Sequence, residues 1–166
     1  MKRYVYAMAF PKAEALRRAS YYSQDILEHL IKIVVYGRQR KDDISHWIGE
    51  IASWLKSADS IAVKPTSRPL KQSEVQNTVF CCMGDSLNDY LESLMMFQHD
   101  NKKGKFNHDD KVSYPEVNPD AQTASDLMDV CFELMNKTTP LICSKESHTR
   151  QEFETVLKSI LNLHHF

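Results

Sequence analysis

Residues 42–56 read DDISHWIGEIASWLK, and this stretch decides the fold. Its apolar side chains recur every three or four positions, which places them on one face of an α-helix. They are Ile44, Trp47, Ile48, Ile51, Trp54 and Leu55. Either Asp42 or Asp43 can cap the helix, because a carboxylate accepts the free N–H groups at a helix N-terminus. The stretch therefore predicts a helix with one buried face.

The same helical spacing continues on the N-terminal side of this stretch. It predicts a helix over about 11–36, which Pro11 can begin because a first helical position needs no N–H, and which Gly37 can end. A break in this helix is allowed near Ser20. The short apolar segment 4–10 is read either as a strand or as the lead-in to the helix.

Another long helix is predicted after a proline-containing loop over 57–70. Ser73 and Gln76, three positions apart, are typical of a capping box, in which side chains satisfy the free N–H groups at a helix start. The helix that they open is expected to end near Phe97. A charged loop over about 98–118 follows it, and a loop of this length is often functional.

Two further helices are predicted towards the C-terminus. Residues 118–120 read NPD, which is a helix start, and that helix is expected to end near Asn136, before a loop that contains Pro140. Thr149 and Glu152 form a second capping box, for the last helix. The buried stripe of the helix after 118–120 is expected to contain Ala124, Leu127, Met128, Cys131, Leu134 and Met135.

Together these patterns predict an all-α protein, a single-domain bundle of five to six helices that spans residues 1–166. No apolar run approaches the roughly 18 residues that a membrane span requires. The apolar segment 4–10 ends at Pro11 without a small-residue cleavage site, so we expect no signal peptide. The cytoplasm is therefore the expected location.

The cysteines and histidines form no recognisable pattern for a disulfide framework or a metal site. There is no CxxC pair among Cys81, Cys82, Cys131 and Cys143. Cys82 and Cys131 fall on apolar faces and are expected to be buried. The histidines are scattered, with no pair at four-residue spacing and no carboxylate at ligand spacing. They are His29, His46, His99, His108, His148, His164 and His165. We expect neither a metal nor a cofactor.

Charge is unevenly distributed along the chain, although the net charge is only −1. Residues 1–72 carry 13 Lys/Arg against 7 Asp/Glu, whereas residues 73–136 carry 4 against 12. Such asymmetry is informative about partners rather than about fold. The acidic half indicates a basic partner. We do not expect direct binding of nucleic acid, because the basic cluster 38–41 is followed at once by Asp42 and Asp43.

Two acidic stripes are the sharpest functional signal. They comprise Asp85, Asp89 and Glu92 on one predicted helix, and Asp126, Asp129 and Glu133 on the next. Like charges at these spacings share a helix face and cost about 0.2–0.5 kcal/mol per pair, so they do not help the fold. The intervening loop adds Asp109, Asp110, Glu116 and Asp120. If the two helices are antiparallel neighbours, all ten residues could form one negative surface for a basic partner. The alternative interpretation is that the stripes are solvated outer faces.

Arg40 and His46 supply an enzymatic alternative. With five residues between them, beside a helix start, they resemble the Arg-x(4–6)-His signature of the HEPN ribonucleases, which are small helical bundles. This resemblance implies His46 as the acid/base and Arg40 as the residue that holds phosphate, usually in a dimer. No nucleophile elbow and no glycine-rich phosphate loop occurs in the sequence.

Without a catalytic motif, the chain is interpreted as a binding protein. Its size, helicity and charge layout resemble the small helical immunity proteins of bacterial toxin/immunity systems, of the contact-dependent inhibition type. This resemblance implies that the acidic surface covers the active site of a basic toxin, expected to be a nuclease because nucleases must hold phosphates. A third reading is a helical adaptor that self-associates through Trp47 and Trp54, which are otherwise read as core residues.

Overall fold

The structure is a computed structural model in which the α-helix is the dominant element. It describes residues 2–63, 70–100, 121–144, 146–164 and 166. Over these ranges the chain forms six helices and no strand, which confirms the predicted all-α class. The helices are α1 (Lys2–Tyr36), α2 (Lys41–Val63), α3 (Gln72–Val79), α4 (Met83–Asp100), α5 (Ala121–Cys143) and α6 (Arg150–Leu163).

Helices α1 and α2 form the centre of the bundle. α1 packs against α2, α3, α4 and α5, and α2 also packs against α5 and α6. The predicted face of α2 is the one that faces the core. Trp47, Ile48, Ile51 and Leu55 are buried, and Ile44 and Trp54 are half-buried. Each fully buried side chain of this size stabilises the fold by about 1.5–3 kcal/mol relative to exposure.

Helix α1 is longer than predicted. It begins at Lys2, so segment 4–10 is helical and the strand alternative is wrong. The helix also passes Ser20 without a break. Gly37 ends it as predicted: the Gly37 N–H donates to the carbonyl of Ile33 at 2.8 Å, and a Cβ at Gly37 would collide with that carbonyl. Glycine is therefore needed at this close approach.

Helix α2 extends to Val63, so the loop predicted over 57–70 is wrong over its first seven residues. Ser57 and Ser60 do not break the helix, because each hydroxyl donates to the carbonyl four residues earlier at 3.0 Å. Ala58 and Asp59 lie between them and are buried. Packing of this helical turn against the core therefore outweighs the low helix preference of its serines.

The helix predicted over 73–97 is two helices, α3 and α4, separated by a turn at residues 80–82. In a continuous helix the carbonyl of Val79 would accept the N–H of Met83. Instead the Ser23 hydroxyl of α1 donates to that carbonyl at 2.7 Å, and the Met83 N–H donates to the carbonyl of Phe80 at 3.1 Å. The predicted capping box is also wrong, since α3 begins after Lys71 with no side-chain cap.

Helix α5 continues past its predicted end near Asn136 and contains Pro140. Proline has no N–H, so the carbonyl of Asn136 loses its usual helical donor. The helix nevertheless continues, because Ile142 in its last turn is buried in the core. The loop predicted around Pro140 is therefore wrong.

Helix α6 begins as predicted at Thr149. The Thr149 hydroxyl accepts the Glu152 N–H at 3.2 Å, which satisfies one of the free donors of the first turn. The other half of the capping box is absent, because the Glu152 carboxylate accepts from Nδ1 of His148 at 2.6 Å instead. The Glu152 carboxylate therefore binds His148 instead of the Thr149 N–H that it would accept in a capping box.

Candidate functional site

The first predicted acidic stripe lies on α4. Asp85, Asp89 and Glu92 are all exposed there. The loop residues predicted to extend the stripe lie outside the described part of the chain. They are Asp109, Asp110, Glu116 and Asp120.

The second predicted stripe lies on α5. Asp129 is exposed, and Asp126 and Glu133 are half-exposed. The Asp126 carboxylate accepts from the Gln122 side chain at 2.8 Å, and the Glu133 carboxylate accepts from Nε2 of His164 at 3.2 Å. Asp129 therefore offers the stripe's most accessible carboxylate.

The two stripes were expected to form one surface if their helices were antiparallel neighbours. In the described residues, α4 packs against α1, whereas α5 packs against α1, α2, α3 and α6. An extensive α4–α5 contact is not among the helix pairings of these residues. We therefore treat the stripes as two separate acidic surfaces.

Exposed apolar side chains lie beside the acidic stripe on α5. Met128 is 52% exposed and Phe132 is 62% exposed. The prediction that Met128 faces inward is wrong, because the buried face of α5 is centred on Leu127, Cys131 and Leu134. Met128 follows Leu127 directly, so the helix turns it about 100° away from that face.

These α5 residues form two parallel rows on the exposed side of the helix. Met128 and Phe132 are four positions apart in one row, and Asp129 and Glu133 are four positions apart in the other. The rows are offset by about 100°. We call these four residues the α5 patch. Aromatic residues and Met are enriched at the core of protein interfaces, whereas charged residues belong to the rim, so the apolar row fits an interface core and the acidic row fits its rim.

Sequence reasoning found the acidic row of the α5 patch and missed Phe132. Met128 was assigned to the core because it shares a three- or four-residue spacing with Ala124 and Cys131. Phe132 lies four positions after Met128 and three before Met135, so three- or four-residue spacing alone does not place it outside the predicted stripe. Its position directly before the acidic Glu133 was the available signal.

Arg40 is occupied by interactions within the chain. Its Nε donates to the Asp43 carboxylate at 2.7 Å, and its guanidinium lies 5.3 Å from the centre of the Trp47 ring. His46 is exposed on α2. Because His46 precedes Trp47, the helix turns its side chain about 100° from the face that Arg40 covers. These contacts favour a structural role for Arg40.

Trp47 and Trp54 are used inside the bundle. Trp47 is buried, as the core interpretation predicted. The half-buried ring of Trp54 lies against Tyr22 of α1, with ring centres 5.1 Å apart. Little of either indole is left for contact with another molecule.

The prediction that no histidine has a carboxylate at ligand spacing is wrong for one group of residues on α1. Asp25, Glu28 and His29 lie on one face of α1, with ligand atoms within 4.8 Å of one another. Their contacts are those of an ordinary helix face. Nδ1 of His29 donates to the carbonyl of Asp25 at 2.8 Å, and Glu28 pairs with Lys32 at 3.3 Å. We assign no ion to this group.

Among the acidic groups of the described residues, the Asp25 carboxyl is the one whose pKa the fold shifts. Burial raises its pKa above 3.8, although His29 and Trp54 act in the opposite direction. One of its oxygens is buried without a hydrogen-bond partner among the described residues. The carboxylate form is thus less favourable in the folded chain than in the unfolded one.

The four cysteines form no disulfide in the structure and differ in accessibility. Cys131 is buried as predicted, and burial raises the pKa of its thiol to about 12. Cys82 was also predicted to be buried and is only half-buried, because it lies in the turn between α3 and α4. Cys81 beside it is exposed.

Comparisons with known proteins give no relative: no family model, no curated protein and no solved structure matches the chain. Within the described helices, none has the combination of length and apolarity that crossing a membrane requires.

Proposed function

We propose that this chain is a non-enzymatic binding protein whose α5 patch docks a basic protein in the cytoplasm. The exposure of Phe132, which is 62%, beside Asp129 and Glu133 carries this proposal. Burial of a phenylalanine in a partner's pocket is worth about 1.5–3 kcal/mol, which the folded chain alone does not gain. An isolated exposed side chain is common, but here Met128 widens the apolar row.

The acidic row makes the α5 patch selective for a positively charged partner. Charges at the edge of an interface speed the encounter with an oppositely charged surface, and they repel like-charged proteins. The exposed stripe of Asp85, Asp89 and Glu92 on α4 adds to this negative field. The apolar row then supplies the short-range contact that keeps the complex together.

Within this class, we propose the role of an immunity protein that neutralises a basic toxin, with a nuclease as the expected target. A nuclease must hold phosphates with cationic side chains, so its active-site cleft complements an acidic surface. The proposal is supported by the acidic segment 73–136, by the α5 patch, and by the resemblance in size and helicity to such inhibitors. The loop acids that were predicted to bind the same partner, Asp109, Asp110, Glu116 and Asp120, lie outside the described residues.

Photo-crosslinking in the cells that produce the protein tests the proposal. A benzophenone amino acid replaces Phe132 in one variant and Tyr21 in a matched control, since Tyr21 is 61% exposed on α1. We expect a basic protein to crosslink to position 132 and not to position 21. A second variant with Asp129→Lys should reduce the yield. Equal crosslinking at both positions, or none at 132, contradicts the proposal.

The two alternatives find less support in the geometry. A ribonuclease that uses Arg40 would have to release its guanidinium from Asp43 and Trp47. Its test is toxicity on overexpression, which His46→Ala should relieve if that reading is correct. An adaptor that self-associates through its tryptophans would need Trp47 at the surface, and Trp47 is buried.

A further inference from the structure

Two neighbouring cysteines meet in the turn between α3 and α4. The Sγ atoms of Cys81 and Cys82 lie 3.5 Å apart. In a regular helix, adjacent side chains diverge by about 100°, so this approach depends on the turn. Cys81 is exposed and Cys82 is half-buried, which leaves the pair open to small reagents.

The turn is fixed from both sides. The Phe80 N–H donates to the carbonyl of Gln76 at 3.2 Å, and the Met83 N–H donates to the carbonyl of Phe80 at 3.1 Å. Phe80 itself is buried in the core. On the far side, the Ser86 N–H donates to the carbonyl of Cys82 at 2.9 Å. These contacts fix the backbone of the turn that carries the two thiols.

We propose that Cys81 and Cys82 are an oxidation site, at which a hydroperoxide converts the two thiols to a vicinal disulfide. One thiolate attacks the peroxide and breaks its O–O bond, which gives a sulfenic acid and, from hydrogen peroxide, water. The second thiol then attacks the sulfenic sulfur, forms the S–S bond and expels a second water. Both sulfurs are oxidised, both peroxide oxygens are reduced, and the two thiol protons leave in water.

The product is a reversible modification and not a structural crosslink. Adjacent Cα atoms are about 3.8 Å apart across a trans peptide, whereas ordinary disulfides join Cα atoms about 4.4–6.8 Å apart. A disulfide between neighbours is therefore strained, and strained exposed disulfides are the easily reduced ones. A dithiol reagent should restore both thiols.

The remaining cysteines provide internal controls. Cys131 is buried, and Cys143 is half-buried in the last turn of α5. Only the pair at positions 81 and 82 has thiols in mutual contact among the described residues. Partial desolvation of the Cys81 thiol and its contact with the Cys82 thiol raise the pKa of Cys81 to about 11, although the residue as a whole is exposed. A raised pKa lowers the thiolate fraction, so we expect the pair to require excess peroxide.

The test uses the full-length protein, treated with excess hydrogen peroxide and then alkylated in denaturant. We expect the alkylated thiols to fall from four to two and dithiothreitol to restore four. Mass spectrometry should find a monomer with one peptide that carries an 81–82 disulfide. Cys143→Ser should keep that disulfide, whereas Cys81→Ser should lose it. Four alkylated thiols after peroxide, sulfinic acids at 81 and 82, or a disulfide that involves Cys143 overturns the proposal.

Discussion

The Asp59 carboxylate accepts the backbone N–H of His148 at 2.8 Å, across 89 positions of sequence. Asp59 is completely buried, and the Lys56 ammonium lies 3.8 Å from the same carboxylate oxygen. The contact joins the end of α2 to the segment that leads into α6. A single buried side chain thus ties the residue before the α6 cap to α2.

Replacement of Asp59 should reveal how much this contact stabilises the fold. We expect Asp59→Ala to lower the free energy of unfolding by about 1–3 kcal/mol, because the part-buried His148 N–H loses its charged acceptor. Asp59→Asn keeps an acceptor oxygen and should cost less. Urea denaturation measures both variants. Equal losses for the two would show that the charge, and not the acceptor, is what matters.

Removal of the α6 cap should have a smaller effect. We expect Thr149→Ala to lower the free energy of unfolding by about 0.5–2 kcal/mol, because the Glu152 N–H loses its acceptor. Thr155→Ala is the matched control, since Thr155 is exposed on the same helix and its hydroxyl only donates to the carbonyl of Gln151. If the two variants unfold at the same urea concentration, the hydroxyl of Thr149 does not act as a cap.

The Asp25 carboxyl should make stability depend on pH in a defined direction. Burial raises the pKa of this carboxyl in the folded state above 3.8. The stability that the protonated carboxyl contributes is therefore fully present below pH 3.8 and is lost as pH rises through the folded-state pKa. Asp25→Asn removes the unfavourable carboxylate. We expect this variant to be more stable than wild type at pH 7, with a gain that shrinks towards pH 3. A gain that is larger at pH 3 than at pH 7 would refute this.

Charge reversal separates the two acidic stripes. If the α5 patch steers the partner, Asp129→Lys should slow association several-fold at low salt, and added salt should reduce the difference. Asp85→Lys is the comparison on α4, and it should have a smaller effect because α4 carries no part of the patch. Stopped-flow or biosensor kinetics measure both rates. A larger effect of Asp85→Lys would move the interface to α4.

A helix could be predicted from the sequence wherever residues that are close in sequence determine it. The apolar face of α2 and the Thr149 cap depend on neighbours within four residues. The split between α3 and α4 depends on Ser23, which lies 56 positions away from the Val79 carbonyl that it satisfies. Pro140 stays helical for a similar reason, because burial of Ile142 outweighs one lost hydrogen bond.

The candidate site was predictable in part. The acidic stripes follow from residue type and spacing, since charged side chains rarely face a core. Whether Met128 faces the core depends on which neighbouring residues reach it, and three- or four-residue spacing fits more than one stripe. The Cys81–Cys82 contact also depends on a turn that helical periodicity does not predict. Tertiary contacts decide each of these cases.

The most direct test of the α5 patch is the affinity of the crosslinked partner for two variants. Phe132→Ala should raise the dissociation constant at least tenfold, which corresponds to a loss of about 1.4 kcal/mol or more. Tyr21→Ala, which removes an equally exposed aromatic ring from α1, should leave it unchanged. Both variants should unfold like wild type, because neither ring is buried. If Phe132→Ala binds as tightly as Tyr21→Ala, the α5 patch is not the docking surface.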